Sequence, residues 1–159
     1  MLKFAKNSLI VFDFEEALSF EGETGPYLQY TFVRINSIFR KLKEKEGFEE
    51  ESILAQISSQ ELSLSPLTTP ELSDFWELVL FAGKMDEEIL HSIHSLEFSH
   101  LAKFAFILCQ KFNGYYHKYS ILAEEDQSIK NIRNLTIYFI RETLKQALEL
   151  MGIPTPHRM

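Results

Sequence analysis

The chain has 159 residues, 45% of them hydrophobic and 25% charged, with 14 phenylalanines and a net charge of −7. That balance excludes a disordered class, and the absence of a long apolar run or a leader pattern argues against a membrane span or an exported protein. One domain with its own core is expected over 1–159; the single cysteine, Cys109, rules out an internal disulfide and fits a reducing cytoplasm. The charge is unevenly spread. Residues 44–97 hold 2 basic and 13 acidic side chains, whereas 98–159 hold 8 and 5, and 1–43 hold 6 and 5. A polyanion responds to the field within about 10 Å, so the acidic middle does not exclude one from the two outer segments.

Residues 1–13 mix apolar and polar side chains without a period, and Gly22 and Gly25 punctuate the approach to a long helix. Thr24 is placed to cap it, with Pro26 in a first turn where its missing N–H costs nothing. The helix is predicted from about Gly25 to Glu46, ending near Gly47, with a core stripe of Leu28, Thr31, Ile35, Ile38, Phe39 and Leu42. Beside that stripe runs a second: Tyr27, Tyr30, Arg34, Ser37 and Lys41. Phenol rings next to a guanidinium and an ammonium combine stacking surface with phosphate-pairing charge, which is what single-stranded nucleic acid binds.

Residues 48–70 give the weakest pattern. Ile53, Leu54 and Ile57 suggest a short helix, and Ser58 to Pro70 a loop. Thr68-x-x-Glu71 then reads as a capping box, with Leu72, Phe75, Trp76, Val79 and Leu80 as one apolar face. Asp86 to Ser95 is predicted as a short helix. Ser99 is expected to cap the next, where Leu101, Phe104, Ala105, Leu108, Phe112 and Tyr115 recur at helical spacing. The last helix starts near Asp126 and carries Ile129, Ile132, Phe139, Ile140, Leu144, Leu148 and Met151. Gly152 closes it in a left-handed cap and Pro154 stops any continuation. No stretch alternates with period two, so the expected fold is all-α, a bundle of about five to six helices.

Three segments resemble one family. Ser19-Phe20-Glu21-Gly22-Glu23-Thr24-Gly25-Pro26-Tyr27-Leu28-Gln29-Tyr30, followed by Arg34, resembles the opening of the C-terminal anticodon-binding (DALR-type) domain of arginyl-tRNA synthetases. Phe112-Asn113-Gly114-Tyr115-Tyr116-His117 is similar to the family's Phe-Asn-x-Phe-Tyr-His segment. The ending Leu150-Met151-Gly152-Ile153-Pro154-Thr155-Pro156-His157-Arg158-Met159 resembles its Leu-Leu-Gly-Ile-x-x-Pro-Glu-Arg-Met terminus, with His157 where the family has glutamate. The matches span about residues 11 to 159. Residues 1–13 then read as a connector from an upstream catalytic domain, and Met1-Leu2-Lys3-Phe4 resembles part of a DALRF segment.

The resemblance implies that the partner is an arginine-accepting tRNA, held by its anticodon loop. Tyr30 and Arg34 would hold the loop, with Tyr27 and Gln29 supporting that surface. Tyr116 matches the tyrosine that stacks on an anticodon base, and Asn113, one turn earlier, is either a neighbouring polar contact or a structural amide. The resemblance also implies a tail lying against the domain, with Arg158 and the Met159 carboxylate near the loop. No Gly-rich phosphate loop and neither class I synthetase ATP signature is present; Lys84-Met85-Asp86-Glu87-Glu88 does not match one. No catalytic residue and no cofactor is therefore expected in this chain. ATP and arginine would belong to the catalytic domain of a parent arginine–tRNA ligase, a second expected partner, and no membrane is expected as a partner.

Two alternatives stay open: a free-standing paralogue that binds tRNA, or a helical protein–protein adaptor using Phe75, Trp76 and the acidic middle. His91-x-x-His94, with His100 nearby, has chelating spacing but lacks any recognised signature. It reads as surface histidines, with no metal expected.

Overall fold

A computed structural model describes residues 22–50 and 63–158, together with Phe4, 7–9, Val11, 13–19 and Ile53. Four helices of 14 residues or more build the molecule: α2 (Gly25–Glu46), α3 (Thr69–Ala82), α5 (Ser99–Lys118) and α6 (Gln127–Leu150). Among the described residues two shorter ones accompany them, α1 (Phe14–Leu18) and α4 (Met85–Ser95). No strand occurs among the described residues. The all-α expectation holds.

Local chemistry sets the ends of α2. The Thr24 side chain accepts from the Tyr27 N–H, and Gly47, at φ 66°, closes the helix with its N–H on the Lys43 carbonyl. Asp126 caps α6 through the N–H groups of Ser128 and Ile129. Gly152, at φ 69°, ends it, and the Ile153 N–H returns to the Leu148 carbonyl, a closure only a left-handed residue permits. Ser99 does not cap α5: it is the first helical residue, and Phe98 at the cap makes no side-chain bond. Chain reversal there comes instead from Leu96, which adopts φ 56°.

The centre of the fold is α5, which packs against α2, α3, α4 and α6. Its Phe104, Leu108 and Phe112 are buried and meet Ile35 and Leu42 of α2 and Ile140, Leu144 and Leu148 of α6 in one core. Ile53 is buried in that core as well, while Leu54 and Ile57 of the suggested short helix lie outside the described residues.

The rotation of α3 differs from expectation. Glu71, Phe75, Leu78 and Ala82 face inward, while Trp76 and Leu80 are exposed. A buried ion pair sets that rotation. Arg133 of α6 donates from Nε to Glu71 Oε1 at 2.7 Å and from Nη2 to Oε2 at 3.0 Å. Its Nη1 reaches the Ser120 carbonyl at 2.9 Å and Glu124 at 2.8 Å. Glu71 therefore points inward instead of back to the Thr68 N–H. Only half of the expected capping box forms, from the Glu71 N–H to Thr68 Oγ1 at 3.4 Å.

Candidate nucleic-acid interface

Tyr27, Thr31 and Arg34 lie one turn apart along α2 and meet Asn113 of α5. The Asn113 amide Oδ1 accepts from Arg34 Nη1 at 2.8 Å. Its Nδ2 donates to the Tyr27 hydroxyl at 3.2 Å and to Thr31 Oγ1 at 3.4 Å. A guanidinium only donates, so this arrangement fixes the amide's orientation and gives both of its ends partners. Thr31 Oγ1 in turn donates to the Tyr27 carbonyl at 3.1 Å. Asn113 joins the two helices and orients the arginine.

Tyr116 completes the cradle. The Arg34 guanidinium carbon lies 5.2 Å from the centre of its ring, within cation–π range. That ring stacks at 6.0 Å and 17° on Phe112, one turn back in α5, which ties a half-buried residue to the core. Burial raises the Tyr116 hydroxyl above its ordinary pKa, and the Arg34 charge opposes the shift. Tyr27 is likewise raised by burial, while its bond from Asn113 pulls the other way. Both phenols stay neutral donors at physiological pH. Cys109, beneath them, is fully buried and its thiol is pushed up to about 12, so it is no nucleophile.

Of the five guanidinium donors, the bond to Asn113 takes one. Arg34 is thus a positioned cation with donors left for a ligand. Tyr30, one turn before it on the same face, is 50% exposed and presents a ring beside that charge. Lys41 is exposed further along the ridge, and Ser37 accepts from Arg40 at 2.9 Å.

The structure therefore brings together Tyr27, Arg34, Asn113 and Tyr116, with Tyr30 one turn before Arg34 along α2. Gln29 goes elsewhere. Five residues from Arg34, it points about 140° away around α2. Its Nε2 donates to the Pro154 carbonyl at 2.9 Å, fastening the tail to α2. Beyond that point Thr155 and His157 line a groove of about 750 Å³ with Phe32, Asn36 and Arg40 of α2 and Arg141 and Lys145 of α6. The tail lies against the domain, as expected, but on the flank of α2 away from Arg34. Arg158 is exposed there, and Met159 lies outside the described residues.

Thr31 and Phe112 are the residues that sequence reasoning placed only in the core. Both are buried, yet Thr31 braces Asn113 and Phe112 backs Tyr116. A hydroxyl within an otherwise aliphatic stripe was the available signal for Thr31.

Residues 28–159 match the family model described as the DALR anticodon binding domain. The arginine–tRNA ligase of Clostridium kluyveri is 33% identical over 158 residues, 99% of this chain and 26% of that protein. The enzyme of Idiomarina loihiensis is 35% identical over 155 residues, 97% of this chain and 24% of its own length. In solved structures, Thermus thermophilus arginyl-tRNA synthetase superposes with a TM-score of 0.80 at 28% identity, covering 99% of this chain and 25% of that one. The chain thus spans about a quarter of the length of the relatives it matches.

Proposed function

This chain belongs to the DALR anticodon-binding domain family, and from that premise we propose that it holds the anticodon loop of an arginine-accepting tRNA. It does so as the C-terminal domain of an arginyl-tRNA synthetase. The observation that carries the reading is the Arg34 guanidinium, held by Asn113 and Tyr116 beside the exposed ring of Tyr30. A loop base stacks on Tyr30 and on the plane of the guanidinium, and a phosphate or a base edge takes the remaining arginine donors. Tyr116 contributes its ring edge and keeps Arg34 in place. Tyr27 and Asn113 act from beneath, and Gln29 acts by seating the tail that carries Arg158 and Met159.

Activation of arginine belongs to the remaining three quarters of such an enzyme, where ATP and arginine would bind; that catalytic domain is the second partner we infer. Its seat is best sought on the exposed apolar side chains of α3 and α4, Trp76, Leu80, Leu90 and Ile93, which belong to the acidic middle of the sequence. The compartment that suits this role is the cytoplasm. Among the described residues no helix is long and apolar enough to cross a membrane.

The same apolar side chains favour the second reading, a protein adaptor with no RNA role; Phe75, expected to share in it, is buried and does not. A fluorescence titration of the chain with an arginine-tRNA anticodon stem-loop at several salt concentrations separates the two. Weak binding that falls steeply with salt, and falls further when the loop sequence is scrambled, supports loop recognition. Equal affinity for the scrambled loop overturns it. Salt-insensitive or absent RNA binding leaves the adaptor.

A further inference from the structure

We propose that Glu88, His91 and His100 form a binding site for a borderline-soft divalent cation of the zinc class, clamping α4 to α5. The site lies apart from the Arg34 cradle and does not depend on the tRNA reading. Glu88 and His91 stand one turn apart on the same face of α4. After Ser95 the chain reverses through the left-handed Leu96, with the Glu97 N–H returning to the Ser92 carbonyl. That reversal sets the first turn of α5 back against α4 and lays the His100 ring on His91, centres 3.9 Å apart and planes 26° from parallel.

One ligand atom from each of the three side chains lies within 4.8 Å of the other two. Zinc bound at about 2.0–2.1 Å in tetrahedral geometry needs ligand atoms about 3.4 Å apart. Closing that gap takes only side-chain rotation, because His91 is exposed and Glu88 and His100 are half-buried. Two imidazoles and one carboxylate suit zinc, cobalt, nickel or copper, whereas magnesium and calcium prefer all-oxygen sets. The fourth position is left to water.

The surrounding field favours a cation. Asp86 and Glu87 precede Glu88 in the first turn of α4, and residues 44–97 carry 13 acidic against 2 basic side chains. His94, which shares the His91-x-x-His spacing, takes no part. It is exposed and stands outside the cluster that His100 completes. In sequence the His91-x-x-His94 spacing, with His100 nearby, reads as surface histidines with no metal expected; the turn at Leu96 sets His100, and not His94, against His91 and Glu88.

Isothermal titration of the chain with zinc chloride in a non-chelating buffer tests the site. One zinc per chain is expected, together with a higher melting temperature that EDTA reverses. His91→Ala and His100→Ala should each weaken binding by roughly tenfold or more, since loss of even an outer-sphere partner costs about that much. His94→Ala should leave it unchanged, and magnesium chloride should give neither heat nor a shifted melt. Melts without zinc verify that each variant folds. No binding by the parent chain, equal binding by the His91→Ala/His100→Ala double variant, or loss through His94→Ala would each overturn the proposal.

Discussion

Asn113 in α5 and Arg34 in α2, 79 positions apart, are joined by a 2.8 Å hydrogen bond in which the amide oxygen accepts from the guanidinium. The other end of that amide bonds to Tyr27 and Thr31, so one side chain ties the packing of α2 on α5 to the direction in which the cation points. Affinity and stability are therefore coupled at this residue, and a change of charge there separates them.

Asn113→Ala should cost about 1–3 kcal/mol of stability, because it strips partners from a half-buried arginine and phenol. It should also lower affinity for the stem-loop. Asn113→Asp keeps an acceptor facing Arg34 but neutralises it. If the guanidinium pairs with a phosphate, the slope of log K against log salt should flatten by about 0.7, the value for one single-strand contact. An unchanged slope with poorer discrimination between loop sequences would mean that Arg34 reads a base.

Tyr30 and Tyr116 should respond differently to truncation. Tyr30 is half exposed, so Tyr30→Ala should lower loop affinity by more than it lowers stability. Loop binding should fall about tenfold, given stacking on the order of 1–3 kcal/mol per base. Tyr116→Ala removes the ring against Phe112 and the surface on which Arg34 rests. Affinity and melting temperature should drop together, with Tyr116→Phe restoring both. Unaltered stem-loop affinity in Tyr30→Ala would remove stacking at that ring from the mechanism.

The buried pair of Glu71 and Arg133 predicts a large stability effect far from the ridge. Their side chains are 3% and 8% exposed. Glu71→Ala leaves the guanidinium without its bidentate partner and should cost about 3–5 kcal/mol in urea denaturation. Replacing both by apolar residues, Glu71→Leu with Arg133→Met, should recover most of that loss. A loss below about 1 kcal/mol in Glu71→Ala would show that Glu124 and the Ser120 carbonyl suffice for Arg133.

What the sequence made legible was local. Thr24, Gly47, Asp126 and Gly152 end their helices through bonds to residues within a turn or so, and each was readable in place. The rotation of α3 was not readable. Apolar side chains lie on most of its sides, so periodicity alone cannot choose a face; Arg133 from α6 chooses it by drawing Glu71 inward. The same division runs through the site. Tyr27, Tyr30 and Arg34 are spaced on one helix and group from their spacing alone; Asn113 and Tyr116 join them in sequence only through the family resemblance, and the bond and ring contact that seat Arg34 come from tertiary packing. Gln29 stands next to Tyr30 in sequence but on another flank of α2, where it holds Pro154 of the tail, a contact that spacing along the chain does not show.

Asp74 gives the fold a pH dependence whose sign follows from its partners. Its Oδ2 accepts from Lys118 Nζ at 2.8 Å and from the Tyr119 hydroxyl at 2.9 Å, joining α3 to the end of α5 just beyond Tyr116. The Lys118 hydrogen bond, followed by that of Tyr119, holds the carboxyl below its ordinary pKa. A carboxyl that is more acidic when folded adds stability that is fully present above its unfolded pKa of about 4. That stability is lost as the pH falls through the lower, folded value. Urea denaturation of the parent chain and of Asp74→Asn should therefore show a constant stability gap from about pH 8 down to about pH 5. The gap should narrow below about pH 4 and vanish once the native carboxyl is protonated. A gap of the same size at every pH would assign the effect to hydrogen bonding that asparagine fails to reproduce, and not to the charge of Asp74.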